Sequence, residues 1–249
     1  MNAIARMKYE GFPMPNRRNP TSPTKDLALE QAIAEYESSS QKKFSDILFG
    51  GDLRYAETSM TTLLTCNQIN MFLSRVWTPN YHDSPAFCYL GYALSALMKK
   101  AYDNGHNSFH IILPDQANLP YFGVFLRGSK EKPYTIDIVG NLGEYNFYNS
   151  SHINATIHGN AESPGSTGEY LNLDFHGEVT GPVGYESKNS VFRFSKAPSP
   201  QIGFIDKATN SIFQVYDDAA FKTLQNLYLP YGSKIELLAE NGEVREKRI

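Results

Sequence analysis

Apolar and polar residues alternate in three stretches of the chain: Tyr134-Thr-Ile-Asp-Ile-Val-Gly140-Asn, Ile153-Asn-Ala-Thr-Ile-His-Gly159-Asn and Leu171-Asn-Leu-Asp-Phe-His-Gly177-Glu. A fourth copy, Ser190-Val-Phe-Arg-Phe-Ser-Lys196, keeps the alternation and loses the glycine. The reference positions lie 19, 18 and 19 residues apart. Alternation has the period of a strand, so every second side chain faces one way. Aligned at the glycine, three columns read Tyr134, Ile153, Leu171, Ser190, then Ile136, Ala155, Leu173, Phe192, then Ile138, Ile157, Phe175, Phe194. Two residues beyond the glycine come Leu142, Ala161, Val179 and Pro198. One such rung cannot bury its apolar face alone, whereas stacked rungs share a continuous core. A hairpin meander would repeat its strands every 8–12 residues or so, so the pattern predicts a β-solenoid.

Gly140, Gly159 and Gly177 each follow a strand where the chain turns a corner, and glycine allows positive φ there. Asn141 and Asn160 come next, where stacked amides can hydrogen-bond from rung to rung; plain Gly-Asn turn chemistry serves equally. Phe122 to Gly128 alternates in the same way but lies too close to the next copy for a full rung, and reads as an entry strand.

Around the repeats the periodicity changes. Residues 1–23 hold Pro13, Pro15, Pro20 and Pro23 and read as a flexible lead-in. A helix is expected after Thr24, carrying Leu27, Leu29, Ala32, Ile33 and Tyr36. A second is expected over about 60–76, capped by Thr58 or Ser59, with Leu63, Leu64, Ile69, Phe72, Leu73 and Val76 on its apolar face. Ser84 and Pro85 open a third, along which Phe87, Leu90, Leu94, Leu97, Met98 and Ala101 recur, and Asn104-Gly105 stops it. Ser108 to Leu113 is a short strand. Beyond Pro200, Ile202–Ile205 and Ile212–Tyr216 suggest a hairpin, residues 218–228 a helix, and Lys234–Leu238 with Glu243–Lys247 a hairpin across Asn241-Gly242. The expected organisation is a lead-in (1–23), a helix-rich region (24–115), the solenoid (116–198) and a hairpin-helix-hairpin cap (199–249). The fold class is α+β: a helical N-terminal region, a short right-handed β-solenoid and a small α/β C-terminal cap.

Gly159-Asn-Ala161 with Gly165 and Gly168, the stretch Leu171 to Gly177, and then Gly181 and Gly184 resemble the right-handed β-helix of the GXGXG domain. That domain closes the large subunit of glutamate synthase and recurs in the C subunit of formylmethanofuran dehydrogenase. Gly177 through Phe194 also resembles repeats of uncharacterised archaeal proteins. The likeness covers residues 134–194, about a quarter of the chain, and implies architecture. The family's acidic residue and paired glycines are eroded here, so no enzymatic role transfers, and in those enzymes the domain is chiefly structural.

Composition narrows the function. The chain has 249 residues, 13% aromatic, with a net charge of −3; the aromatic load argues for a packed protein. Arg17-Arg18 and Lys42-Lys43 are isolated, so nucleic acid is not an expected partner. No run approaches the roughly 20 apolar residues of a membrane span, and no secretory signal opens the chain; a cytoplasmic protein is expected. Cys66 and Cys88 form neither a metal spacing nor a disulfide framework, and read as small buried hydrophobes in helices. His82, His106 and His110 read as structural histidines near helix ends. On the outward face, His158 and His176 fall on neighbouring rungs, with Asp174 two residues from His176. Histidine with carboxylate suits a transition metal, and a solvated polar face explains the same residues. No cofactor is expected, since no nucleophile elbow, zinc-binding helix or dinucleotide glycine fingerprint is present. The sequence therefore points to a non-catalytic structural or protein-interaction protein with a possible partner on a lateral face. The alternative is an enzyme or enzyme subunit with its site in region 44–133 or at its junction with the solenoid.

Overall fold

A computed structural model describes residues 26–40, 53–77, 85–114, 117–196, 207–225, 229 and 232–249. It is an α+β protein in which N-terminal helices precede a parallel β-solenoid of about six turns, closed by a C-terminal strand and helix. Strands β1 (Ser108–Ile112), β3 (Tyr134–Val139), β5 (Ser151–Ile157), β7 (Glu169–Phe175), β9 (Val191–Phe194), β10 (Ile212–Val215) and β11 (Lys234–Leu238) lie side by side in parallel, and β12 (Val244–Arg248) adds the last edge antiparallel. A second wall is formed by four short parallel strands: β2 (Asn118–Leu119), β4 (Asn141–Leu142), β6 (Ala161–Glu162) and β8 (Val179–Thr180).

The register carries the columns expected from the alternation. One ladder runs Phe109, Ile136, Ala155, Leu173, Phe192, Phe213, Ile235, and the next Ile111, Ile138, Ile157, Phe175, Phe194, Val215, Leu237. All are buried, and each large apolar side chain so buried is worth about 1.5–3 kcal/mol. Ile157 and Phe175 are paired neighbours, both 0% exposed, and the Phe175 ring stacks on Phe194 at 5.6 Å. Ser190, the polar member of its column, is fully buried because its hydroxyl is used: it accepts from Leu171 N–H at 3.1 Å and donates to Lys188 C=O at 2.9 Å. Ser211 and Ser233 continue that ladder, with Ser233 Oγ accepting from Ser211 N–H at 3.2 Å.

The glycine column has a different cause from the one expected. Only Gly140 has positive φ, at 127°. At Gly159 and Gly177 a Cβ would stand 2.0 Å from Gly140 O and 2.1 Å from Gly159 O, so the rungs approach too closely for any side chain. The asparagines do bridge rungs: Asn141 Oδ1 accepts from Asn160 N–H, and Asn160 Oδ1 from Glu178 N–H, both at 2.9 Å.

The stretch from Phe122 to Gly128 is not an entry strand but the third wall of the first rung. Tyr121, Gly123 and Phe125 have φ of 56°, 72° and 57°, while Phe122, Val124 and Leu126 point into the core. Left-handed residues at every second position keep the period of two without an extended backbone. The wall still pairs rung to rung, as in Phe147 N–H to Phe122 O and Phe125 N–H to Tyr148 O, both 2.9 Å.

Four described helices, α1 (Leu27–Ser40), α2 (Leu53–Ser59), α3 (Cys66–Val76) and α4 (Pro85–Asp103), close the first end. Asp26 Oδ1 accepts from Leu29 N–H at the start of α1; Thr24 and Ser84 lie outside the described residues. The helix expected over 60–76 starts later, at Cys66, and a separate short helix, α2, precedes it. Thr65, rather than Thr58 or Ser59, caps α3 in a reciprocal box with Gln68, which leaves Leu63 in the connecting segment, exposed. The open edge of β1 is met by side chains of α3. Asn70 Nδ2 donates to His110 O at 2.7 Å, Asn70 Oδ1 accepts from Ile112 N–H at 3.0 Å, and Cys66 Sγ donates to Ser108 O at 3.1 Å. An amide that both donates and accepts imitates a missing strand. Helix α4 rests on the third wall of the first rung: Ser95 Oγ accepts from Gly123 N–H at 2.9 Å, and a Cβ on Gly91 would meet Pro120 O.

At the other end the expected hairpin involving 212–216 is replaced by two further rungs. Strand β10 pairs in parallel with both β9 and β11; residues 202–205 lie outside the described ones. Ser190, Ser211 and Ser233 let the stack continue past the lost glycine. Helix α5 (Asp218–Gln225) is capped by Asp217, whose Oδ1 accepts from Ala220 N–H at 2.7 Å, and buries Ala220, Phe221 and Leu224. Strand β12 follows the Asn241-Gly242 turn, as expected. Its exposed Arg245, Glu246 and Lys247 discourage a further strand from pairing.

Two predictions follow from this packing. Phe175→Ala is expected to destabilise the protein by about 3–5 kcal/mol, read by reversible urea denaturation; a loss below about 1 kcal/mol contradicts the register. The second concerns Glu35 on α1, whose carboxylate accepts from the N–H and hydroxyl of both Thr61 and Thr62 and from Gln31. Burial raises its pKa, but these bonds outweigh burial and hold it below the ordinary 4.5. A depressed carboxylate contributes stability above its unfolded pKa and loses it as pH falls through the folded value. Because the group is partly open to water, Glu35→Ala should destabilise by only about 1–2 kcal/mol at pH 7, and the gap between variant and wild type should narrow as pH falls from the ordinary carboxylate range through the lowered folded value.

Candidate binding faces

The solenoid presents three outward faces. On the large sheet, one register row runs His110, Asp137, Thr156, Asp174, Arg193, Gln214, Glu236 and Lys247. Asp137 holds two histidines, with His110 Nδ1 at 2.7 Å from one oxygen and His158 Nε2 at 2.8 Å from the other. The His158 ring lies 4.9 Å from that of His176, nearly parallel, so the sequence correctly placed them as neighbours. His176 Nε2 is 3.9 Å from Asp174 Oδ1. Separate oxygens of Asp137 serve separate histidines, and among the described residues no group of three or more His, Cys, Asp or Glu side chains is arranged to hold a metal ion.

Further along the face, Arg193 Nη1 donates to Asn172 Oδ1 at 2.6 Å, and Asn172 Nδ2 to Asn154 Oδ1 at 3.3 Å. A depression of about 320 Å³ lies over this part of the sheet, including Thr135, Asp137, Asn154, Thr156, Asp174 and Arg193. At the corner beside it, Lys130, Pro133, His152, Asn154 and Tyr170 line a second depression of about 580 Å³. The short sheet presents the Asn118, Asn141 and Asn160 row with Glu162 and Glu178.

The third wall is aromatic on its outside. Tyr92 of α4 stacks on Tyr121 at 5.1 Å, and Tyr121 on Tyr145 at 5.5 Å. Phe125 meets Tyr148 edge to face at 5.8 Å. Tyr145 is 43% exposed. Cys88 and Glu144 lie beside this stack. Burial, then the nearby Glu144 charge, pushes the Cys88 thiol up. Burial pushes Tyr121 up to about 12 and Tyr92 higher still, and burial with Glu144 also raises Glu162. All these shifts favour the neutral forms. A thiol kept protonated is a weak nucleophile, so Cys88 is not an activated one.

Sequence reasoning missed the roles of His110 and the outward aromatics. His110 was read as flanking a helix end, yet it belongs to β1, and the alternation in Ser108–Leu113 was the signal that placed it on the same face as Asp137. The aromatics sit at left-handed positions, which strand periodicity does not describe. Cys66 and Cys88 are half-buried, not core, and His82 lies outside the described residues. No described helix is long and apolar enough to cross a membrane.

Fold and faces together define a helix-capped parallel β-solenoid protein. No family model matches the chain, and no curated protein or solved structure matches it.

The raised thiols yield a direct check. Cys66 is also pushed up by burial, so less thiolate is present at neutral pH. Iodoacetamide at about pH 7.5 is expected to alkylate both cysteines at least ~10-fold more slowly in the native protein than in urea. Equal native and denatured rates contradict the assignment.

Proposed function

We propose that the protein is a non-catalytic interaction scaffold, and that a protein partner docks on its aromatic lateral wall. The observation that carries this reading is the outward stack of Tyr92, Tyr121 and Tyr145 with Phe125 and Tyr148 beside it. Tyr145 is exposed and the other four are half-buried; rigid, partly exposed aromatic side chains are residue types that anchor protein interfaces. The closed ends of the solenoid direct a partner to a side face, and the likeness to the GXGXG repeats, chiefly structural in their enzymes, supports the same role. Two free thiols suit a reducing, cytoplasmic setting. The enzyme alternative would place its site at the junction of α4 and the wall, where Cys88 and Glu144 meet the aromatics; the neutral state of Cys88 argues against it.

Tyr145 and Phe125 have φ of 58° and 57°, a region that asparagine tolerates, so Tyr145→Asn and Phe125→Asn preserve the backbone. A partner co-purified from native cells with the wild type should be lost from the double variant and retained by Cys88→Ser. Retention by the double variant overturns the proposal, as does a chemical turnover abolished by Cys88→Ser.

A further inference from the structure

The outer face of the large sheet carries a surface of different chemistry from the aromatic wall. Its two depressions meet at Asn154 and cross five rungs, from β1 to β9, a span of roughly 19 Å at the usual strand spacing of ~4.8 Å. Several side chains along it have unspent hydrogen-bonding capacity. Among the described residues the hydroxyls of Thr135 and Thr156 make no hydrogen bond, and Asn154 uses only its carbonyl oxygen. The Asp174 side chain is 33% exposed, although its Oδ1 is itself buried, 3.9 Å from His176 Nε2 and without a hydrogen bond, so only the remainder of the carboxylate faces the groove.

Three features decide what fits. First, the charges balance: Lys130 and Arg193 offset Asp137 and Asp174. A polyanion or polycation would call for an excess of one sign. Second, the sheet's backbone donors and acceptors are engaged in rung pairing, so a peptide cannot join by strand addition here. Third, the groove is poor in exposed apolar anchors of the kind that form protein interface cores, the exposed Ile112 of β1 lying on the same face but outside its lining. Its exposed ring is Tyr170, 49% accessible and stacked 4.8 Å from His152 at the corner.

We propose that this groove binds a neutral oligosaccharide of about four sugar units, a length matched to the five rungs. Sugar hydroxyls both donate and accept, which suits threonine hydroxyls, an asparagine N–H pair, a carboxylate oxygen and the free edge of a guanidinium in one row. The C–H face of one sugar packs against the Tyr170 and His152 rings at the corner. This site is separate from the aromatic wall and does not rest on the protein-partner reading.

The test is calorimetric titration of the full chain with cellotetraose, maltotetraose, mannotetraose and chitotetraose, with tetragalacturonate and a chitosan tetramer as charged controls. At least one neutral tetramer is expected to bind with a Kd of about 0.1–1 mM. Thr156→Val with Asn154→Ala should weaken it about tenfold or more, as should Tyr170→Asn, with unchanged melting temperatures; Tyr145→Asn should leave it intact. Tyr170 has φ of 54°, so asparagine fits that backbone. The proposal is overturned if no neutral tetramer binds up to about 10 mM, if only the charged tetramers bind, or if stable groove variants bind as the wild type does. A protein partner captured by the wild type and lost from the Thr156→Val, Asn154→Ala variant also overturns it.

Discussion

Every part of the structure depends on the in-register stacking of one rung on the next. Parallel pairing at about 4.8 Å puts identical positions of successive rungs in contact, so each column must be internally compatible. The inward columns meet this with aliphatic and aromatic residues. The corner meets it with glycine, where backbone presses on backbone, and with asparagine amides that accept from the rung beyond. Ser190, Ser211 and Ser233 show that a polar column survives inside when each hydroxyl is bonded. Buried polar groups are tolerated under that condition.

Stacking of this kind has no natural end, and an unpaired edge invites further chains. The two ends are closed by different means. At the start, Asn70 and Cys66 reach from a helix to the carbonyls and N–H groups of β1, so side chains stand in for a strand. At the finish, the chain reverses into a charged antiparallel strand while α5 covers the last apolar positions. With the axis closed, the lateral faces are the surfaces left open to solvent. Their chemistry is divided: aromatic on the third wall, mixed and charge-balanced on the large sheet. The in-register backbone repeats both rows at the strand spacing of about 4.8 Å.

Much of the architecture was legible before any coordinates. Alternation with an 18- to 19-residue repeat, anchored on Gly140, Gly159 and Gly177, determined the solenoid, the inward columns and the neighbouring placement of His158 and His176. The Asn241-Gly242 hairpin and the helix starting near Asp218 were equally local, because turn and cap chemistry lies within a few residues. What tertiary structure alone decided was non-local or mimicked another pattern. Alternating left-handed residues reproduce the period of a strand, so Phe122 to Leu126 looked extended when it is a tight wall. The union of His110 with Asp137 depends on the register of β1, and the edge-closing role of Asn70 on where α3 comes to rest. Ile212–Val215 carries the same apolar pattern whether it forms a hairpin or another rung. The buried serines and the preceding stack selected the rung, since pairing partners are chosen by the whole sheet and not by the segment itself.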